Sequence, residues 1–121
     1  MTTYDLKANV RHRPGIAIID LGGELNGFVN NVLITAYADA ASRNPASLFL
    51  NFERVNYINS TGIGFLLDLV GRAQRSQQVL IAYGLSSFYA QLFQIVGLTQ
   101  FIRIVPDEAN ALSLVSTPVL G

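Results

Sequence analysis

Four short apolar runs recur along the chain, Ile16–Leu21, Ser47–Phe52, Val79–Tyr83 and Phe101–Val105, with segments of helical period between them. The runs are rich in β-branched and aromatic residues and lack polar alternation, the pattern of strands covered on both faces. Between them, apolar residues return every three or four positions. Phe28, Val29, Val32, Leu33, Ala36, Tyr37 and Ala40 make the first such stripe. Ile63, Leu66, Leu67, Val70 and Ala73 make the second, and Phe88, Leu92, Phe93 and Val96 the third. Buried strands separated by amphipathic helices predict an α/β fold, because parallel strands need long crossovers.

Local signals punctuate this pattern. Tyr4–Val10 alternates partly with period two and predicts an edge strand, turned back by Pro14-Gly15. Gly22-Gly23 is expected to end the second strand and Asn26 to cap the first helix, which Asn44-Pro45 closes. Asp68 and Arg72, four residues apart, mark with Arg75 the solvent face of the second helix. Ser86 or Ser87 caps a short third helix, with Gly97 as its left-handed C-terminal cap. Pro106-Asp107-Glu108 opens a last helix running through Leu114, where proline suits a first turn and acids suit the helix dipole. One early hairpin followed by right-handed crossovers gives a mixed, mostly parallel β-sheet flanked by about four helices. At 121 residues the chain is read as one domain over 1–121, with its core at about 4–115 and a loose tail from 116 to 121.

Composition removes several function classes. Half the residues are hydrophobic, 13% are charged, and acids balance bases for a formal charge of zero. No basic stripe for nucleic acid and no polybasic patch for a membrane surface can be built from that balance. No cysteine is present and His12 is the lone histidine, which leaves neither a disulfide framework nor a thiolate metal site. The N-terminus does not read as a signal peptide, and the most apolar stretch, Ile63–Val70, is broken by Asp68. A span would need about 20 apolar residues, so the expectation is a cytoplasmic chain without membrane insertion.

Catalytic chemistry is hard to assemble. The carboxylates are scattered, and the adjacent pair Asp107-Glu108 is explained by its helix start. His12 sits in a turn without an evident partner. Gly62-Ile63-Gly64 and Gly22-Gly23 lack the lysine and spacing of a phosphate loop. Tyr83, Tyr89 and Phe93 read as packing residues, since no bases interleave them. The exception is Asn59-Ser60-Thr61-Gly62, where three cap-competent residues and a glycine meet at one helix start. One hydroxyl or amide satisfies a cap, leaving another side chain free at the positive end of the helix. From the residues alone, plain capping and a phosphate acceptor at Ser60 both stay open.

The segment Asn56-Tyr57-Ile58-Asn59-Ser60-Thr61-Gly62-Ile63-Gly64 resembles the signature of the STAS family, named for sulfate transporters and anti-sigma factor antagonists. In bacterial members that signature reads Asp-Ser-(Ser or Thr)-Gly-(Leu or Ile)-Gly, and its first serine is phosphorylated. That serine falls on Ser60. Leu21-Gly22-Gly23-Glu24-Leu25-Asn26, Ala82-Tyr83-Gly84-Leu85-Ser86 and Phe93-Gln94-Ile95-Val96-Gly97-Leu98 resemble further segments of the family. The likeness spans about residues 5–115. Two family acids are amides here, Asn59 and Asn26, which keep the capping geometry of Asp without its charge.

The resemblance implies an anti-sigma factor antagonist that works by partner switching. Unphosphorylated, it would bind an anti-sigma factor that is itself a serine kinase. Phosphorylation of Ser60 would release it, and a phosphoserine phosphatase would reset it. ATP then belongs to the kinase, and this chain needs no cofactor or metal and carries no catalysis of its own. The implied contact face gathers Glu24 and Asn26, Asn59, Ser60, Thr61 and Gly62, and Leu85, Ser86 and Ser87. The alternatives are a STAS scaffold or accessory subunit of a signalling assembly or membrane transport complex, and a small-molecule-binding or enzymatic α/β domain, for which no convergent polar site is visible.

Overall fold

The computed structural model describes residues 6–26 and 30–115. Tyr4 and Asp5 of the expected edge strand, Phe28 and Val29 of the first helical stripe, and the tail 116–121 lie outside the described residues, as does the segment joining Asn26 to the helix it was expected to cap. The chain forms β1 (Lys7–Arg13), β2 (Ile16–Leu25), α1 (Asn30–Ala41), β3 (Ser47–Ile58), α2 (Ser60–Arg75) and β4 (Val79–Tyr83). It continues through α3 (Ser87–Ile95), a 3-10 turn (Leu98–Gln100), β5 (Ile102–Val105) and α4 (Glu108–Val115). This is the α/β architecture read from the sequence, with four helices against one mixed sheet.

The sheet runs β1-β2-β3-β4-β5 in chain order. The first pair is antiparallel and the other three are parallel. Strands that advance in one direction through right-handed crossovers place every crossover helix on the same face. Accordingly Ala17, Ile19, Leu21, Leu48, Leu50, Phe52, Leu80 and Ala82 join the large core with inner residues of α1, α2 and α3. The alternate residues Ile18, Phe49, Ile81 and Tyr83 face the other way and meet Ala111 of α4. Two buried faces explain why these strands read as continuous apolar runs.

Several boundaries differ from the sequence reading. β1 continues to Arg13, β5 begins only at Ile102, and α1 ends at Ala41 with Asn44 beyond it at φ 49. Pro106 precedes the helix: Asp107 is the cap of α4, its Oδ1 accepting from Asn110 N at 2.9 Å. The largest differences are in β2 and β3, which run on to Leu25 and Ile58 rather than stopping at Leu21 and Phe52. Gly22-Gly23 does not end β2; the register shifts between Asp20 and Gly22 and again between Gly23 and Glu24 while pairing continues. A β-bulge absorbs an extra residue without ending a strand.

Four residues assigned inward, Val32, Leu67, Phe88 and Val96, are exposed. The first three are one residue from inner positions, which is about 100° around a helix. Leu33, Leu66 and Tyr89 take the inward places, and on α2 Leu69 packs where Leu67 was expected. Val96 is the last-turn cap of α3, followed by Gly97 at φ 85, the left-handed turn the sequence called for.

Among the described helices only the short α4 covers the second face, and polar chemistry locks it there. Arg11 Nε and Nη2 donate to the two oxygens of Asp20 at 2.6 and 2.8 Å, while Nη2 also donates to Glu108 Oε1 at 2.6 Å. The buried Tyr83 donates its hydroxyl to the same Glu108 oxygen at 2.6 Å, and Asn51 Nδ2 donates to Asp20 at 2.8 Å. Glu108 therefore does more than favour a helix dipole, as its sequence position suggested; it ties α4 to β1 and β4. Hydrogen bonds from Arg11 and then Tyr83 hold the Glu108 carboxyl below its ordinary value. Burial alone would raise Asp20, but the bonds from Arg11 and Asn51 outweigh it and lower that carboxyl too. Burial, then the bond to Glu108, pushes the Tyr83 phenol up, so it stays a donor.

Depressed carboxyl pKa values contribute stability that is complete above the ordinary range near pH 4 and lost as pH falls through the folded values. The cluster is part-exposed, so its share is about 1–2 kcal/mol. Urea unfolding between pH 6 and about 2 is expected to show this loss in the wild type. The Asp20→Asn, Glu108→Gln variant is expected to be less stable at pH 6 with a flatter acid limb.

Candidate functional site

Beyond Asn51, β3 leaves β4 and, among the described residues, pairs only with the far end of β2, where Glu24 faces Tyr57 and Leu25 faces Ile58. This two-stranded arm carries the chain to the start of α2. There Asn59 makes three bonds: its N–H donates to Leu25 O at 3.1 Å, its Oδ1 accepts from Gly62 N at 2.9 Å, and its carbonyl accepts from Ile63 N at 3.0 Å. Asn59 is thus the N-cap of α2 and joins that helix to the end of β2. Of the three cap-competent residues, the amide does the capping.

Ser60 and Thr61 become the first two residues of α2, and both are exposed. Neither hydroxyl makes a hydrogen bond among the described residues. Their amides are among the helix-start donors that no intrahelical carbonyl reaches. Gly62 is buried, for a reason the geometry makes plain: a Cβ there would lie 2.2 Å from Leu25 O and 2.8 Å from Leu25 C. Only glycine lets α2 begin against the β2 backbone.

A third segment arrives from β4. Gly84 has φ +81, and a Cβ on it would lie 2.5 Å from Glu53 Cγ and 2.7 Å from Glu53 N. The chain thus crosses β3 in close contact just where β3 passes the end of β4. Asn51 Oδ1 accepts from Glu53 N at 3.0 Å and fixes that backbone. Ser86 then caps α3, accepting from Tyr89 N at 3.3 Å, and Ser87 is its first residue. Tyr89 returns to the arm, its hydroxyl accepting from Ile58 N at 3.0 Å.

The structure therefore brings the residues singled out in the sequence to one edge, at the C-terminal ends of the parallel strands. Glu24 and Asn26 flank Leu25, and Asn26 Nδ2 donates to Glu24 Oε1 at 3.4 Å. Ser60, Thr61, Ser86 and Ser87 are exposed there; Glu24, Asn26, Asn59 and Leu85 are half-buried; Gly62 lies beneath the surface. Sequence reasoning missed Tyr89 and Gly84 as the residues that dock the third segment. Their signals, a tyrosine one turn into a helix and a glycine after a strand, are too common to single out.

Elsewhere, a shallow groove of about 570 Å³ opens on the α4 side of the sheet, lined by Lys7, Asn9, Asp20, Asn51, Glu53 and Arg54 among others. Asp20 in it is already engaged by Arg11. Among the described residues, no three His, Cys, Asp or Glu side chains cluster to hold a metal ion. No helix among them is long and apolar enough to cross a membrane.

Comparison with known proteins gives a family match and likenesses to individual proteins, among them the three that follow. The STAS domain family model matches residues 7–111. An anti-sigma-B factor antagonist of Listeria monocytogenes is 28% identical over 94 residues, covering 76% of this chain and 82% of that protein. The crystal structure of an anti-sigma factor antagonist from Mycobacterium paratuberculosis is similar with a TM-score of 0.80 at 16% identity, over 94% of this chain and 97% of that one. The Bacillus cell fate determinant SpoIIAA in its phosphorylated form is similar with a TM-score of 0.69 at 21% identity, over 90% and 99%.

The capping geometry gives a graded expectation for urea denaturation. Asn59→Ala should cost about 1 kcal/mol, whereas Ser60→Ala, one position inside the cap, should stay within about 0.5 kcal/mol. Gly62→Ala should be the most damaging, at about 3 kcal/mol or more, because the clash is with backbone that cannot step aside.

Proposed function

The chain belongs to the STAS domain family, and on that premise we propose that it is an anti-sigma factor antagonist switched by phosphorylation of Ser60. The observation that carries the reading is an exposed Ser60 at the first position of α2, beside a neutral cap, its hydroxyl making no hydrogen bond among the described residues. The unphosphorylated chain binds an anti-sigma factor that is also a serine kinase and so releases the sigma factor. Transfer of a phosphoryl group to Ser60 Oγ ends that binding, and a phosphatase restores it. The chain is substrate and ligand, not catalyst; ATP is bound by the kinase, and the exchange takes place in the cytoplasm.

The same charge has opposite effects on fold and on interface. Phosphoserine adds nearly two negative charges and three acceptor oxygens. In the free chain these lie at the positive end of α2, near amides with no helical partner, and next to Asn59 rather than an acid. In a docked interface the same dianion must be desolvated without a counterion. Glu24, Asn26, Asn59, Ser60, Thr61, Gly62, Leu85, Ser86 and Ser87 form or support the docking edge. A few kcal/mol suffice, since every 1.4 kcal/mol changes affinity tenfold.

Incubation with ATP and each serine-kinase anti-sigma factor of the host is expected to add one phosphate, mapped to Ser60. Ser60→Ala should bind the kinase as tightly as wild type and resist modification. Ser60→Asp should fold as well as wild type and bind at least about tenfold more weakly. Phosphate on Thr61 or Ser86 alone would refute the assignment. Equal binding by folded Ser60→Ala and Ser60→Asp would favour a scaffold or accessory subunit instead.

A further inference from the structure

From Ser76 to Ile102 the sequence contains no charged residue, although this stretch includes the whole of α3. Solvent-facing helix surfaces are ordinarily charged, and α3 is instead apolar and amide-bearing on its outer side. Phe93 points inward and packs edge-to-face on Phe52 at 5.7 Å. Phe88 and Ile95, seven residues apart and so on one stripe, are 67% and 80% exposed. Val96 and Phe101, which follow α3 in the chain, are also exposed, at 42% and 44%.

We propose that this uncharged face of α3, anchored by Phe88 and Ile95, is the apolar half of the surface that docks the anti-sigma serine kinase. The proposal rests on the reading of Ser60 as the switch and names the part of the surface that supplies affinity. Three observations point to that occupant. First, the Ser60 edge is made mainly of Ser, Thr, Asn and Gly, which are poor binding anchors, whereas hot spots are large side chains in desolvated pockets. Second, a stable interface covers about 800 Å² on each partner, more than a few loop residues offer. From Phe88 to Ile95 the helix rises only about 10 Å, well within one such footprint. Third, Phe88 follows Ser86 and Ser87 directly, and Tyr89 pins this end of α3 to Ile58, two residues before Ser60. Phe88 packs edge-on to Tyr89 at 5.1 Å.

An occupant that covers Phe88 therefore reaches the Ser60 edge and must respond to charge placed there. A second copy meeting α3 face to face would crowd both Ser60 edges and shut the kinase out. The matching surface on the kinase is an apolar pocket or groove free of charge, adjoining the site where Ser60 meets ATP. Charge depletion with aromatic anchors is the composition of an interface core.

Binding is measured for each anti-sigma serine kinase of the host, held with a non-hydrolysable ATP analogue, against wild type, Ser60→Asp, Phe88→Ser, Ile95→Ser and Val32→Ser. Ile95→Ser is the cleaner variant, because its side chain is almost fully in water and its removal should leave melting unchanged. Phe88→Ser and Ile95→Ser should each weaken binding at least about tenfold, and together about thirtyfold or more. Val32→Ser, on α1, should bind as wild type does. If wild type binds and Ser60→Asp releases, yet both α3 variants bind within about twofold of wild type, the docking proposal is overturned while the switch stands. If no kinase binds wild type, the switch reading fails and the docking proposal with it. If wild type is dimeric by ultracentrifugation and Ile95→Ser is monomeric and binds the kinase no more weakly than wild type, a second copy occupies the face and the proposal is wrong.

Discussion

Four parallel strands advancing in one direction are the constraint on which this molecule depends. Right-handed crossovers then have a single outcome: α1, α2 and α3 gather on one face, and every strand ends at the same edge. The candidate site is that edge, where Leu25, Ile58 and Tyr83 hand the chain to the segments that follow them. The geometry has a cost on the opposite face, which only α4 reaches among the described helices. Eight residues bury too little to hold their place by packing alone. Arg11, Asp20, Tyr83 and Glu108 supply the remainder through charge-assisted hydrogen bonds, which are stronger than neutral ones.

What was legible in the sequence was whatever depends on local period and composition. The apolar centres of β2, β3 and β4 are buried on both sides, so each reads as a strand without knowledge of its neighbours. The helix stripes were visible for the same reason, with errors of one position at Val32, Leu67 and Phe88, where an apolar residue adjoins the inner face. The far halves of β2 and β3 were not legible. Gly22-Gly23 and Glu53-Arg54 look like terminators, and only the pairing of one arm with the other, bulges included, makes them strand. The Glu108 cluster was invisible because Arg11 and Glu108 are 97 positions apart.

At the site, the sequence held the residues but not their division of labour. Asn59, Ser60 and Thr61 are all competent caps, and the choice among them is made by tertiary contact. The Asn59 N–H reaches Leu25 O, which sets its backbone at φ −101 and ψ −179. In that extended conformation its side chain folds onto Gly62 N and α2 begins one residue later. Ser60 is thereby relieved of structural duty. Of the two roles that competed for the same residues in the sequence, capping falls in the fold to Asn59, which leaves Ser60 exposed beside it.

That separation bears on how a modification can act as a switch. Had Ser60 been the cap, a phosphate would have replaced the hydroxyl bond that starts α2, and every change in charge would also have been a change in stability. With Asn59 as the cap, charge at Ser60 would leave the capping bond to Gly62 in place and bear chiefly on what can approach the edge. The same logic extends along α3. If affinity came from the loop residues around Ser60, any partner close enough to be tight would also be close enough to be distorted by modest surface change. An uncharged helix face that supplies affinity, next to a small polar edge that supplies conditionality, lets each be set independently. Hydrophobic contact is indifferent to phosphate at a distance, whereas desolvation of a dianion is steeply local. A partner held by Phe88 and Ile95, as proposed, would thus be tight while Ser60 is neutral, and would be released by one charge change that leaves the helix holding it untouched.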